Sequence, residues 1–95
     1  MIGVALVAAT ALAGADPAIP APVRAFVERL RSCAHWAGEE PYDPDRARQI
    51  ATPLRKGRCA AIARDEGALR RRYAARPDVL RLIEASEAGE RGRPR

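Results

Sequence analysis

His35 is the only histidine of a 95-residue chain, and the residues that could do chemistry with it crowd within eight positions. The stretch Cys33 to Asp43, CAHWAGEEPYD, holds that histidine, the only tryptophan (Trp36), one of two tyrosines (Tyr42) and three carboxylates: Glu39, Glu40 and Asp43. Three chemistries compete for it. Large rigid aromatics beside charged groups on a loop make a recognition surface. One imidazole with Glu39, Glu40 or Asp43 would bind a divalent ion weakly, whereas structural zinc wants four N or S ligands. Catalysis would need His35 as a base next to a nucleophile and an oxyanion donor set. Ser32 is near but is not expected to couple to His35, and nothing else completes such a set. A purely structural reading stands beside these: in a domain poor in aromatics, Trp36 fills volume next to a disulfide, Tyr42 covers it, and His35 hydrogen-bonds a loop carbonyl or a carboxylate such as Glu39, four residues on. The sequence therefore predicts a non-catalytic binding module, with His35, Trp36, Glu39, Glu40, Tyr42 and Asp43 as its candidate binding residues. No resident metal and no cofactor are expected, and a weak metal site at His35 is the second alternative.

What positions this cluster begins with an address. Residues 1–15, MIGVALVAATALAGA, carry no charge and end on Ala13-Gly14-Ala15, the small-residue pattern of a cleavable export signal. The run is short of the ~20 apolar residues that a membrane span needs, so no stable span is expected after cleavage. All 29 charged residues follow Ala15 and leave the processed 80-residue part at +5. Sixteen of the 17 basic residues are Arg, which together with abundant Ala, Gly and Pro reads as the codon bias of a high-GC genome. In an oxidising compartment the two cysteines, Cys33 and Cys59, are expected to pair. Closing a loop of about 27 residues contributes roughly 3.5 kcal/mol on the chain-entropy model. A chain this small buries only ~60–65 % of its unfolded surface, so such a staple matters.

Residues 16–20 (DPAIP) read as an extended leader because of their prolines. A first helix is expected from about Ala21 to Gly38, with Phe26, Val27, Leu30, Cys33 and Ala34 as its apolar stripe and Arg24, Glu28, Arg29, Arg31 and Ser32 away from it. Asp43-Pro44-Asp45 looks like a capped start for a second helix carrying Ala47, Ile50, Ala51 and Leu54. Pro53 and Gly57 predict a kink or break near Thr52–Gly57. The pattern resumes as Cys59, Ile62, Leu69 and Tyr73 over about Arg58–Ala75. Pro77 opens a last helix reaching about Ser86, with Val79, Leu80 and Ile83 inward. Residues 87–95 (EAGERGRPR) read as a disordered basic tail. With no period-2 segment, the fold class is all-α: a small bundle of three to four helices with one disulfide, the domain spanning 21–86. Arg70-Arg71-Arg72 reads as a solvated helix face, and Asp65 and Glu66 dilute its charge. Export also removes nucleic acid as a partner, leaving a cell-envelope or secreted protein.

The stretch CAHWAGEEPYD, followed by Arg46 and Arg48, then Cys59, Asp65, Leu69 and Tyr73, resembles small exported proteins of unknown function from high-GC Gram-negative bacteria. That resemblance covers about residues 26–84 and implies a periplasmic or secreted location. A looser likeness is to the periplasmic lysozyme-inhibitor domain of the LprI type, which has helices, paired cysteines and a Cys…Asp…Leu…Tyr run. Here the cysteine spacing is longer, and Arg70 stands where that domain has Asn after the Leu. The likeness implies inhibition of a lysozyme as an alternative function.

Overall fold

A computed structural model describes residues 18–92 and shows four α-helices with no strand among them: α1 (Ala21–Ala37), α2 (Pro44–Lys56), α3 (Ile62–Arg72) and α4 (Pro77–Arg91). A 3-10 turn, Cys59–Ala61, precedes α3. The expected export signal and the first two leader residues lie outside the described residues, as do 93–95.

The all-α expectation holds, and α1 is its centre, packing against α2, α3 and α4. Val23 and Phe26 of α1 meet Val79 and Ile83 of α4, all four buried. Leu30, Ile62, Leu69, Tyr73 and Leu82 close over them, and Ile19 packs on from the leader. The stripe on α1 is thus shifted from the expected one. Val23 is fully enclosed, while Val27 and Ala34 stay half-buried, Val27 beside a concavity shared with Ala85 and Ser86 of α4. The leader itself is pinned. The Arg24 guanidinium donates to the Ile19 carbonyl, and Arg76 Nη2 donates to the Ala18 carbonyl at 3.4 Å.

The start of α2 follows its sequence signal: Asp43 Oδ1 accepts from the Arg46 backbone N–H at 2.7 Å, with Pro44 in the first turn. The expected break falls at the far end of its range. Pro53 sits inside α2 without ending it, and the chain turns only at Gly57 and Arg58. Arg58 adopts φ 48° and ψ 49°, the one left-handed non-glycine residue among those described. Gly57 is needed for proximity rather than for its φ. A Cβ there would stand 3.2 Å from Cys59 Sγ, 3.2 Å from the Pro53 carbonyl oxygen and 3.3 Å from Cys33 Sγ. That crowding exists because Cys33 and Cys59 form the expected disulfide, tying α1 to the turn with Cα atoms 5.6 Å apart.

Two further boundaries differ from expectation. The helix expected over Arg58–Ala75 starts as a 3-10 turn and ends at Arg72, since the left-handed Arg58 and the approach to Pro77 clip both ends. The last helix runs to Arg91, so residues 87–91 are helix rather than tail. Glu87 holds it there by pairing with Arg70 of α3 at 3.1 Å.

Candidate functional site

The last turn of α1 carries His35 and Trp36, and Gly38 stops the helix with its N–H within 3.2 Å of the Ala34 and His35 carbonyls. The chain then doubles back through Glu39–Asp43 into α2, which places Arg46 over the end of α1. Glu39 is the hinge of the cluster. One carboxylate oxygen lies 3.3 Å from His35 Nε2, and the other lies 3.6 Å from Arg46 Nη2. The Arg46 guanidinium carbon sits 5.7 Å from the centre of the Trp36 ring, in cation–π range. The His35 and Trp36 rings meet edge to face, with centroids 5.0 Å apart.

Four of the six candidate residues therefore have internal work. His35, Trp36 and Glu39 form one contact set with Arg46, and Asp43 is the cap of α2. Trp36 is half-buried and lies outside the apolar cluster around Val23 and Ile83. Glu40 and Tyr42 face outward. Their loop is tightened by a bond from the Tyr42 N–H to the Glu40 carbonyl at 3.1 Å. Tyr42 is 77 % exposed and is the one large apolar side chain left so open among the described residues.

Ser32 and His35, three residues apart on α1, line one shallow open concavity with Glu28 and Arg31. No hydrogen bond joins the serine to the imidazole among the described residues, so proximity creates no nucleophile–base pair. Nor do the described residues bring three His, Cys, Asp or Glu side chains into a metal-binding group.

Two charge clusters escaped the sequence reading. Arg29, expected away from the packed face, donates through Nε to the Gly57 carbonyl at 2.5 Å and through Nη2 to the Arg58 carbonyl at 2.8 Å. Its Nη2 also lies 2.8 Å from Asp65 Oδ2. Arg64 and, more distantly, Arg58 approach the same carboxylate at 3.3 and 4.0 Å. Pairing with Arg29, and secondarily with Arg64, holds the Asp65 carboxyl below its ordinary range. The second cluster centres on Arg70, expected to be solvated, which instead contacts Glu66 at 2.7 Å and Glu84 and Glu87 at 3.1 Å each. Glu66 and Glu87 share a hydrogen bond between carboxyls, lowering Glu66 and raising Glu87. The Glu66–Arg70 spacing of four was the available signal. Nothing local announced Arg29, whose carbonyl partners lie 28 and 29 residues away.

Comparison with family models, with curated proteins and with solved structures returns no match. Function rests on the geometry.

Proposed function

We propose that this chain is an exported, non-catalytic interaction module that engages a cell-envelope or secreted protein through the Trp36–Asp43 loop. The observation that carries the reading is Tyr42, exposed at the tip of a loop whose base is braced by Asp43, Glu39 and Arg46. A rigid aromatic presented this way loses little conformational freedom on binding, which is how interface anchors gain affinity. Export draws support from the Cys33–Cys59 disulfide and from the uncharged segment ending Ala13-Gly14-Ala15. A binding role fits a domain with a thin core and shallow, open concavities.

The lysozyme-inhibitor reading relies on an acidic loop engaging a cationic enzyme. It draws less support, because Glu39 is already paired with His35 and Arg46, and Asp43 is spent on the helix cap. The weak-metal reading has His35 and Glu39 alone to draw on.

Pull-down from periplasmic extract with wild type, Tyr42→Ala and Trp36→Ala tests the proposal. The Tyr42 variant keeps every packing contact of the fold, so a partner retained by wild type and lost from that variant supports the loop. Equal recovery from all three sinks it. Intact mass of the exported protein tests export separately: loss of residues 1–15 and of two hydrogens is expected, and an uncleaved chain contradicts it.

A further inference from the structure

Away from the loop, α1 and α3 enclose a groove of about 350 Å³. Its lining is apolar in the middle: the buried Phe26 of α1 and the half-buried Leu69 of α3 lie deepest, with the exposed Ala25 and Ala68 at its edges. Its polar lining is mostly cationic, with Arg29, Arg58 and Arg72 beside the single carboxylate of Asp65. Its lining on α1 runs from Pro22 to Arg29 and ends seven residues, about 10 Å along the helix, before Trp36.

The rim charges are unequally committed. Arg29 is only 18 % exposed and is consumed by two carbonyls and Asp65. Asp65 is the sole carboxylate lining the groove, and Arg29 and Arg64 already flank it closely. Arg58 stands 4.0 Å from it, with its side chain 69 % exposed. Arg72 makes no ion pair among the described residues and rests over the Tyr73 ring at 5.2 Å. Two guanidiniums therefore remain available above an apolar trough. Their planar forks suit a carboxylate, which accepts two parallel N–H bonds from one guanidinium.

We infer that this groove is a binding site for a free, single-chain amphiphilic carboxylate of the fatty-acid class, its head drawn to the cationic rim that Arg58 and Arg72 supply and its hydrocarbon on Phe26 and Leu69. The volume falls at the lower end of small-ligand sites, which favours a medium chain over a long one. Charge complementarity favours an acid over an alcohol or an amine. The inference is independent of the Tyr42 loop and survives if that loop binds nothing.

The test is a titration of the isotope-labelled protein followed by amide chemical shifts, with hexanoate, octanoate, octanamide and octylammonium as probes. Octanoate is expected to saturate one site, with shifts centred on Ala25, Phe26, Ala68 and Leu69. Each added methylene from hexanoate upward should tighten binding by about fourfold, the factor for 0.8 kcal/mol. Arg58→Gly removes one head-group partner while suiting the left-handed backbone, so it should fold at least as well and bind several-fold more weakly. Arg72→Gln should do the same, and Ala68→Trp, which fills the trough from its edge, should abolish binding. Octanamide or octylammonium binding as tightly as octanoate overturns the inference. So do shifts centred elsewhere, or no saturation at millimolar octanoate. Association seen only with anionic phospholipid vesicles and unchanged by Ala68→Trp overturns it too, reporting general surface charge.

Discussion

Asp65 and Arg70 stand five residues apart on α3 and head two clusters that are mirror images in charge. Asp65 is one carboxylate among Arg29, Arg58 and Arg64; Arg70 is one guanidinium among Glu66, Glu84 and Glu87. At 100° per residue the two side chains leave the helix on different faces, so each ties α3 to a different neighbour. The Asp65 cluster binds α3 to α1 and to the disulfide turn, with Arg29 also holding two backbone carbonyls. The Arg70 cluster binds α3 to α4 by side chains alone. The first welds the fold and leaves a cationic excess beside the groove. The second trims α4 to length and leaves an acidic excess that lowers its own worth through carboxylate repulsion.

The comparison breaks most severely if the covalent part of the first cluster is removed. Replacing both Cys33 and Cys59 by Ala should cost roughly 3.5 kcal/mol, read as a lower denaturant midpoint at unchanged slope. Next, Arg29→Met keeps the aliphatic stem but strands the Gly57 and Arg58 carbonyls, and should cost about 2 kcal/mol. Arg70→Met, by contrast, should cost under about 1 kcal/mol, because it strands no backbone carbonyl and its carboxylate partners keep access to water. Equal costs for the two arginine variants would erase the distinction between weld and trim.

Acid unfolding sharpens the same contrast. Asp65 titrates below its ordinary 3.8, so it adds stability above that pH and gives it up as pH falls through its lowered value. Asp78, held to about 2 by Arg76, does the same between about pH 4 and 2. Glu66, lowered by its bond to Glu87 and by Arg70, acts in the same sense from 4.5 downward. Glu87 is raised by its bond to Glu66, burial and repulsion, so it favours the fold at low pH and loses that contribution as pH rises through its folded value. The two glutamates oppose each other. Asp65→Asn should therefore flatten the acid limb of the stability curve below about pH 4, while Glu66→Gln with Glu87→Gln removes two contributions of opposite sign and should flatten it less. Smallest of all, Tyr42→Ala, outside both clusters, should shift stability by no more than about 0.5 kcal/mol.

Much of the fold was legible along the chain because its signals are local. Pro22, the Asp43-Pro44 pair, Gly38 and Pro77 set helix ends through backbone geometry that depends on one to four neighbouring residues. Apolar spacing marked Phe26, Ile50, Val79 and Ile83 as buried. The pairing of Cys33 with Cys59 followed from there being two cysteines. The candidate loop was visible as composition, but its division of labour was not. That Glu39 is neutralised and Tyr42 left open depends on where α2 returns over α1.

Sequence by itself thus determined an all-α, disulfide-linked chain with helix boundaries near their observed places, since propensity, capping and periodicity act within a turn or two. Tertiary structure alone decided that Pro53 stays inside its helix, that Arg58 takes the left-handed turn, and that α4 continues to Arg91. It also decided which arginines are committed and which are free. The arginine commitments rest on distant partners, such as Glu87, 17 residues from Arg70, and Gly57 and Arg58, 28 and 29 residues from Arg29. No local pattern encodes a guanidinium's choice among distant carbonyls and carboxylates, because that choice is made by the packing of α1 against its neighbours.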